Sequence, residues 1–313
     1  MPAPDWRGQR VLVTGGRGFL GRHIVALLQT RGAVATAVGR DEADLRDGAA
    51  ARQLFVALRP QVVVHCAVSG GGLGWMRDHG VEAGRDGALI NLHALDAASE
   101  AGAELFLGAS SACAYPRAPR RIPFLEAELW DGAPEPSNAA YAESKRLMMA
   151  LGSAYQRERG MRCTFPLLAN LYGPGDHLEP ARAHVLAALI LRSLAGPAEL
   201  VVWGSGQATR EHLYVADAAE GVLACAALAE GGPINIGSGE ERSVADLVER
   251  VVAATGYCGP VRFDPALPDG QPRKCLDVSW AARALGWRAT TGLDEGLRQT
   301  VAWYRAALVQ DAP

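Results

Sequence analysis

The chain has 313 residues, a formal net charge of −3 and 49% hydrophobic residues. That length holds one large core or two lobes sharing an interface, and acids and bases are too evenly mixed to give a basic field for nucleic acid. The opening MPAPDWRGQR lacks the charged-then-apolar pattern of a secretory signal, and the longest apolar runs, such as that around 185–191, are too short to span a bilayer. Cys66, Cys113, Cys163, Cys225, Cys258 and Cys275 form no CxxC pair, so reduced thiols in a cytoplasmic protein are expected, with no metal site and no membrane partner.

In chain order, short apolar runs alternate with helical patterns, as a doubly wound parallel sheet requires. Strands are expected at 10–14, 33–38, 61–66, 103–110 and 161–168, with helices near 18–31, 47–58, 82–101 and 139–159. After about residue 168 the rhythm breaks into turns (NLYGPGD, LAGPAE, WGSGQ, GGPINIGSGE, PDGQPRK), punctuated by helices near 181–194, 216–229, 243–254 and 292–308. The expected fold is α/β: a doubly wound lobe over 1–168, with strand and helix returns near 210–230, and a smaller α/β substrate lobe over 169–313.

VLVTGGRGFLGRHI follows the first strand and opens the first helix, with Phe19 and Leu20 at the helix start. Gly15, Gly18 and Gly21 fall where a Rossmann-type turn needs a tight bend, close backbone approach to a pyrophosphate, and close helix–strand packing. An NAD site places a carboxylate at the end of the second strand, to accept from the ribose 2′-OH. Here that strand ends in Val38-Gly39-Arg40, and Arg17 sits inside the glycine turn. Two guanidinium groups, Arg17 and Arg40, suit a 2′-phosphate, while Asp44 and Leu45 are placed for the adenine edge. NADPH is therefore expected over NAD.

YAESK spaces Tyr141 and Lys145 by four, on one helix face, with Ser137 or Asn138 as the N-cap. A free phenol ionises near ~10, and a neighbouring ammonium favours its ionised form; the same ammonium suits a nicotinamide ribose. With Ser111 at the end of the fourth strand, Gly15, Gly18, Gly21, Tyr141 and Lys145 resemble the extended short-chain dehydrogenase/reductase family, which acts on nucleotide sugars. The resemblance implies a Rossmann lobe, a C-terminal sugar-nucleotide lobe, and a homodimer formed through helices near 82–101 and 139–159. It also implies that Ser111 orients a substrate carbonyl while Tyr141 exchanges the proton as nicotinamide exchanges the hydride.

GASSACAYP narrows the chemistry. Sugar-nucleotide dehydratases of that family carry Asp-Glu after the strand-end hydroxyl, where this chain has Ala112-Cys113. A thiol, ionising near ~8.5 and lower beside a cation, suits proton exchange at the carbons flanking a 4-keto group. CAYP, EPSNAAYAESK, NLYGPGD, AHV, VVWGSGQATREHLYVADAAEG, NIGSG and PDGQPRKCLD, in that order, resemble the GDP-L-fucose synthase family, epimerase–reductases of GDP-4-keto-6-deoxymannose. By that resemblance Cys113 and His184 are the epimerisation pair, with His177 the rival to His184. Arg192, Arg210 and Lys274 would meet the substrate's phosphates or sugar, and Trp203 the nucleotide base. Leu168 and Asn170 would lie beside the nicotinamide, Asn170 touching substrate as well.

The function implied is an NADPH-dependent 3,5-epimerase/4-reductase of GDP-4-keto-6-deoxymannose or a close analogue. The alternative is a 4-ketoreductase alone, on another GDP- or dTDP-linked 4-keto-6-deoxysugar; departures at Ala140, His177, Ala183 and the glycine-rich SGGGLGWMRDHG leave it open. A third reading, a non-catalytic NADP-binding regulator, has no use for Tyr141 and Lys145.

Overall fold

The computed structural model describes residues 5–179, 183, 185–267 and 269–310. Its first half runs β1 (Arg10–Thr14), α1 (Phe19–Thr30), β2 (Val34–Val38), α2 (Gly48–Leu58), β3 (Val62–His65), α3 (Leu73–Asp78), α4 (Gly80–Glu100), β4 (Leu105–Gly108), β5 (Ser110–Ser111), α5 (Ala139–Arg159) and β6 (Arg162–Leu168). All five strands read from the sequence are present. VVVH and LFLG are buried at every position, as strands covered by helices on both faces must be.

The second half runs β7 (Asn170–Tyr172), α6 (Val185–Leu194), β8 (Leu200–Trp203), β9 (Thr209–Tyr214), α7 (Val215–Ala224), β10 (Gly232–Ile236), β11 (Glu241–Ser243), α8 (Val244–Thr255), β12 (Val261–Asp264), β13 (Arg273–Lys274), α9 (Ser279–Leu285) and α10 (Leu293–Gln310). β10 returns to the main sheet, giving seven strands in the order β10-β6-β4-β3-β1-β2 with β5 beside β6. Every pairing in that sheet is parallel. A four-stranded sheet, β11-β9-β13 with β7 beside β9, and a β12-β8 pair complete the strands.

Two clusters of buried side chains result. The larger surrounds the seven-stranded sheet, from Val11 and Leu12 to Ile234 and Ile236. The smaller joins α6, α8 and α10 through Leu186, Ile190, Leu247, Val251 and Tyr304. Among the described residues no helix is long and apolar enough to cross a membrane, and Cys66, Cys113, Cys163, Cys225, Cys258 and Cys275 are free thiols.

Candidate active site

Parallel strands of one sheet end together, so the loops after β1, β3, β5 and β6 share one crevice, the usual ligand position in open α/β sheets. The turn after β1 is tight because Gly15 holds φ at +63°, and a Cβ there would lie 2.8 Å from the Ala67 backbone nitrogen. On Gly21 a Cβ would lie 2.1 Å from the Gly15 carbonyl oxygen. Gly18 caps α1 with extended backbone, and its N–H donates to the Gly15 carbonyl at 2.9 Å. Phe19 and Leu20 then start the helix. This is a backbone cradle at a helix N-terminus, packed too closely for a side chain at Gly15 or Gly21, and it fits a dinucleotide pyrophosphate.

The cations nearest the cradle have partners. Arg17 is ion-paired with Glu42, with Asp41 at 3.9 Å. Arg40 Nε lies 3.4 Å from Asp44 Oδ2. Asp44 is also gripped by Arg46, whose Nε donates to Oδ1 at 2.9 Å and whose Nη1 reaches Asp86 at 3.0 Å. Leu45 is buried.

β5 carries Ser111 alongside Leu168 of β6. The Ser111 hydroxyl accepts from the Cys113 N–H at 3.1 Å, capping a short turn that aims the thiol back at the serine. It also favours ionisation of the nearby Tyr141 phenol. Lys145, 3% exposed, donates to the Ala109 carbonyl at 2.9 Å and sits 5.9 Å from the Tyr141 ring centroid. Burial draws its ammonium down to about 8, with Cys66 pulling the other way.

The sequence reading has Lys145 lower the Tyr141 phenol. In the structure that phenol is raised, by burial first and then by the charge of Cys113, with the Ser111 bond pulling down. Desolvation wins because no cation among the described residues opposes it at the phenol. Tyr141 therefore keeps its proton at neutral pH.

Cys113 is the opposite case. Burial pushes its thiol up, but the Lys274 ammonium and hydrogen bonds from Ser111, Lys274 and Asn138 outweigh burial and leave it below the ordinary value. Lys274 Nζ donates to Cys113 Sγ at 3.1 Å, and Asn138 Nδ2 donates at 3.3 Å. Asn138 does begin α5, but its side chain serves the thiol rather than the helix. Sequence reasoning saw only a cap there; the available signal was an amide three residues before the tyrosine.

The parallel β9–β13 register sets Lys274 beside Arg210. Lys274, expected from the resemblance at the phosphates or sugar, thus stands at the sulfur. Arg210 donates to the Thr209 and Asp269 carbonyls at 2.7 and 2.8 Å. Burial lowers its guanidinium, while Asp269 and Cys113 raise it. Next to Arg210 on β9 lies Glu211, 2% exposed, which accepts from Leu276 N–H at 2.7 Å and Gly239 N–H at 2.8 Å. Burial pushes it up to about 7, against those backbone bonds. It fastens the backbone just after Lys274. Asn170 donates to the Glu211 carbonyl at 2.9 Å.

Arg192 donates to the Val201 carbonyl at 2.7 Å, tying α6 to β8, and Trp203 at the end of β8 is 47% exposed. His177 is exposed, with its carbonyl accepting from Tyr304 at 3.0 Å. His184 lies outside the described residues.

Lys274→Met tests the sulfur contact. Losing the ammonium raises the thiol pKa, so alkylation of Cys113 by iodoacetamide at neutral pH, followed by peptide mass spectrometry, slows about tenfold. An unchanged rate would show that Lys274 does not set the thiol's ionisation.

Residues 11–237 match the model of the NAD dependent epimerase/dehydratase family. The chain is 36% identical over 311 residues to "Probable GDP-L-fucose synthase 1" of Oryza sativa subsp. japonica, covering 95% of this chain and 92% of the rice protein. It is 33% identical over 311 residues to "GDP-L-fucose synthase" of Escherichia coli (strain K12), covering 95% and 96%. The crystal structure of a GDP-L-fucose synthetase from Naegleria fowleri bound to NADP superposes with a TM-score of 0.86 at 27% identity, covering 97% of this chain and 96% of that one. With a glycine cradle, a strand-end serine and a tyrosine–lysine helix on one parallel sheet, the chain belongs to the NAD dependent epimerase/dehydratase family.

Proposed function

We propose that the protein is an NADPH-dependent 3,5-epimerase/4-reductase of a nucleotide-linked 4-keto-6-deoxyhexose, with GDP-4-keto-6-deoxymannose as substrate. The observation that carries this is the Cys113 sulfur, held by Lys274 and Asn138 beside the Ser111–Tyr141 pair. A simple ketoreductase has no use for a thiol whose ionisation is favoured there. The names of the rice and Escherichia coli relatives support the same reading.

Ser111 donates to the 4-keto oxygen, so negative charge developing there is stabilised as Cys113 removes a proton from a flanking carbon. Return of the proton on the opposite face needs a second acid, the role the resemblance gives to His184. Tyr141 then protonates the 4-oxygen; its raised pKa keeps the proton in place until that oxygen gains charge. NADPH supplies the hydride for this reduction. The glycine turn and the α1 N-terminus hold its pyrophosphate, and Lys145 its nicotinamide ribose. Arg210, with Arg192 from the α6–β8 side, meets the diphosphate of the nucleotide sugar, and Trp203 its base.

Leu147, 43% exposed, together with half-buried Leu89 and Leu92, gives α5 and α4 an apolar outer face that supports pairing of two chains. Free thiols support a reducing, cytoplasmic setting.

NMR of the product formed from GDP-4-keto-6-deoxymannose and NADPH in deuterated water tests the reading. Deuterium at C3 and C5 with inverted configuration is expected. Reduction with protium at both carbons gives the 4-ketoreductase instead, and no oxidation of NADPH overturns both.

A further inference from the structure

We propose that Glu42 governs which dinucleotide the site takes, competing with the 2′-phosphate of NADPH for Arg17 and accepting the 2′-hydroxyl of NADH, so that the enzyme binds both cofactors. This rests on the cofactor reading above and goes beyond its preference for NADPH.

The sequence shows no acid where β2 ends, but the chain turns back and supplies one. Gly39, the first residue after β2, donates its N–H to Glu42 Oε2 at 2.8 Å. The other carboxylate oxygen accepts from Arg17 Nη2. A Cβ built on Gly39 would lie 3.5 Å from Glu42 Oε2 and 3.7 Å from Arg17 Cδ, so carboxylate and arginine both cover the strand end. The Gly39 N–H, against slight burial and with Arg17 adding, keeps the Glu42 carboxyl below its ordinary value; it is an anion at neutral pH.

An acceptor at the end of the second strand is what a ribose 2′-hydroxyl needs, and a guanidinium there is what a 2′-phosphate needs. Here the two are bonded to each other. Arg17 is 57% exposed at the side chain, and exposed ion pairs hold weakly against solvent. A phosphate dianion therefore displaces Glu42 readily, yet remains next to the displaced carboxylate. Arg40, the second cation available, faces Asp44 rather than Glu42. A 2′-hydroxyl meets no such repulsion and leaves the Arg17–Glu42 pair standing.

Calorimetric titration of the full chain with NADP+ and with NAD+ tests this without turnover. Wild type should bind both, NADP+ more tightly by no more than about tenfold. Glu42→Gln should tighten NADP+ and weaken NAD+, each by about fivefold, as expected for one surface charge acting over a few ångströms. Arg17→Gln should weaken NADP+, spare NAD+, and erase the gain that Glu42→Gln gives NADP+ when the two are combined. A folded Glu42→Gln protein whose two affinities match wild type overturns the proposal, as does an unchanged gain in the double variant. Binding of neither dinucleotide by wild type defeats the cofactor reading itself.

Discussion

Tyr141→Phe is expected to slow reduction of the 4-keto group by about a thousandfold, in line with removal of a positioned general acid, while NADP+ binding is unchanged. The ring stays, so the packing beneath Lys145, whose ammonium is 5.9 Å from the ring centroid, is kept. Only the phenol O–H is lost. Burial and the neighbouring Cys113 charge hold that proton on Tyr141, and a phenylalanine ring has none to give. On the mechanism proposed above, proton exchange at the flanking carbons runs through Cys113 and should continue. The variant should therefore accumulate epimerised 4-keto sugar carrying solvent deuterium, with no loss of NADPH absorbance. Reduction at more than about a tenth of the wild-type rate would remove Tyr141 from the role of acid.

The parts of the fold that could be read from the sequence are those whose burial is uniform. VVVH and LFLG are fully buried, and an unbroken apolar run between helical patterns leaves few other readings. β10 was missed because GPINI begins with the residues of a turn and finds its partner, β6, only after the chain has built β7, β8 and β9. β9 falls at the strand return expected near 210–230, but it joins the four-stranded sheet rather than the main one. TREHLY buries Glu211 together with Leu213 and Tyr214, so a charged residue sits where the strand pattern calls for an apolar one. α3 lies in a glycine-rich stretch with no helical period.

The site divides in the same way. The glycine turn, Tyr141 and Lys145 lie on single elements with fixed spacing, and such spacing is local information. The environment of Cys113 is not local. Lys274 arrives 161 positions away in the chain through the β9–β13 pairing, and Asn138 arrives from the turn before α5. Glu42 shows the converse: no acid occupies the strand end, yet a turn of three residues brings one there. Charge placed by a loop is invisible to a rule about strand ends.

Cys113→Ser should separate the two activities. Serine keeps the shape and still accepts from Lys274 and Asn138, so the fold, the Ser111–Tyr141 pair and the cofactor cradle persist. A hydroxyl in the same contacts remains protonated at neutral pH, whereas the Lys274 ammonium and the hydrogen bonds hold the thiol below its ordinary value, which favours its action as a base. Exchange of the C3 and C5 protons should fall by about a hundredfold or more. Reduction of a substrate already epimerised at both carbons should fall by no more than about threefold, since its acid is Tyr141. With the ordinary substrate, reduction then outruns exchange, and the product keeps the starting configuration at C3 and C5 with protium at both. Equal losses in exchange and in reduction of the pre-epimerised sugar would make Cys113 a packing residue, and the Lys274 contact would then serve the fold rather than the chemistry. The substrate itself sets the order of events: exchange at C3 and C5 must come while the ketone exists, because reduction at C4 removes the group that makes the neighbouring protons acidic.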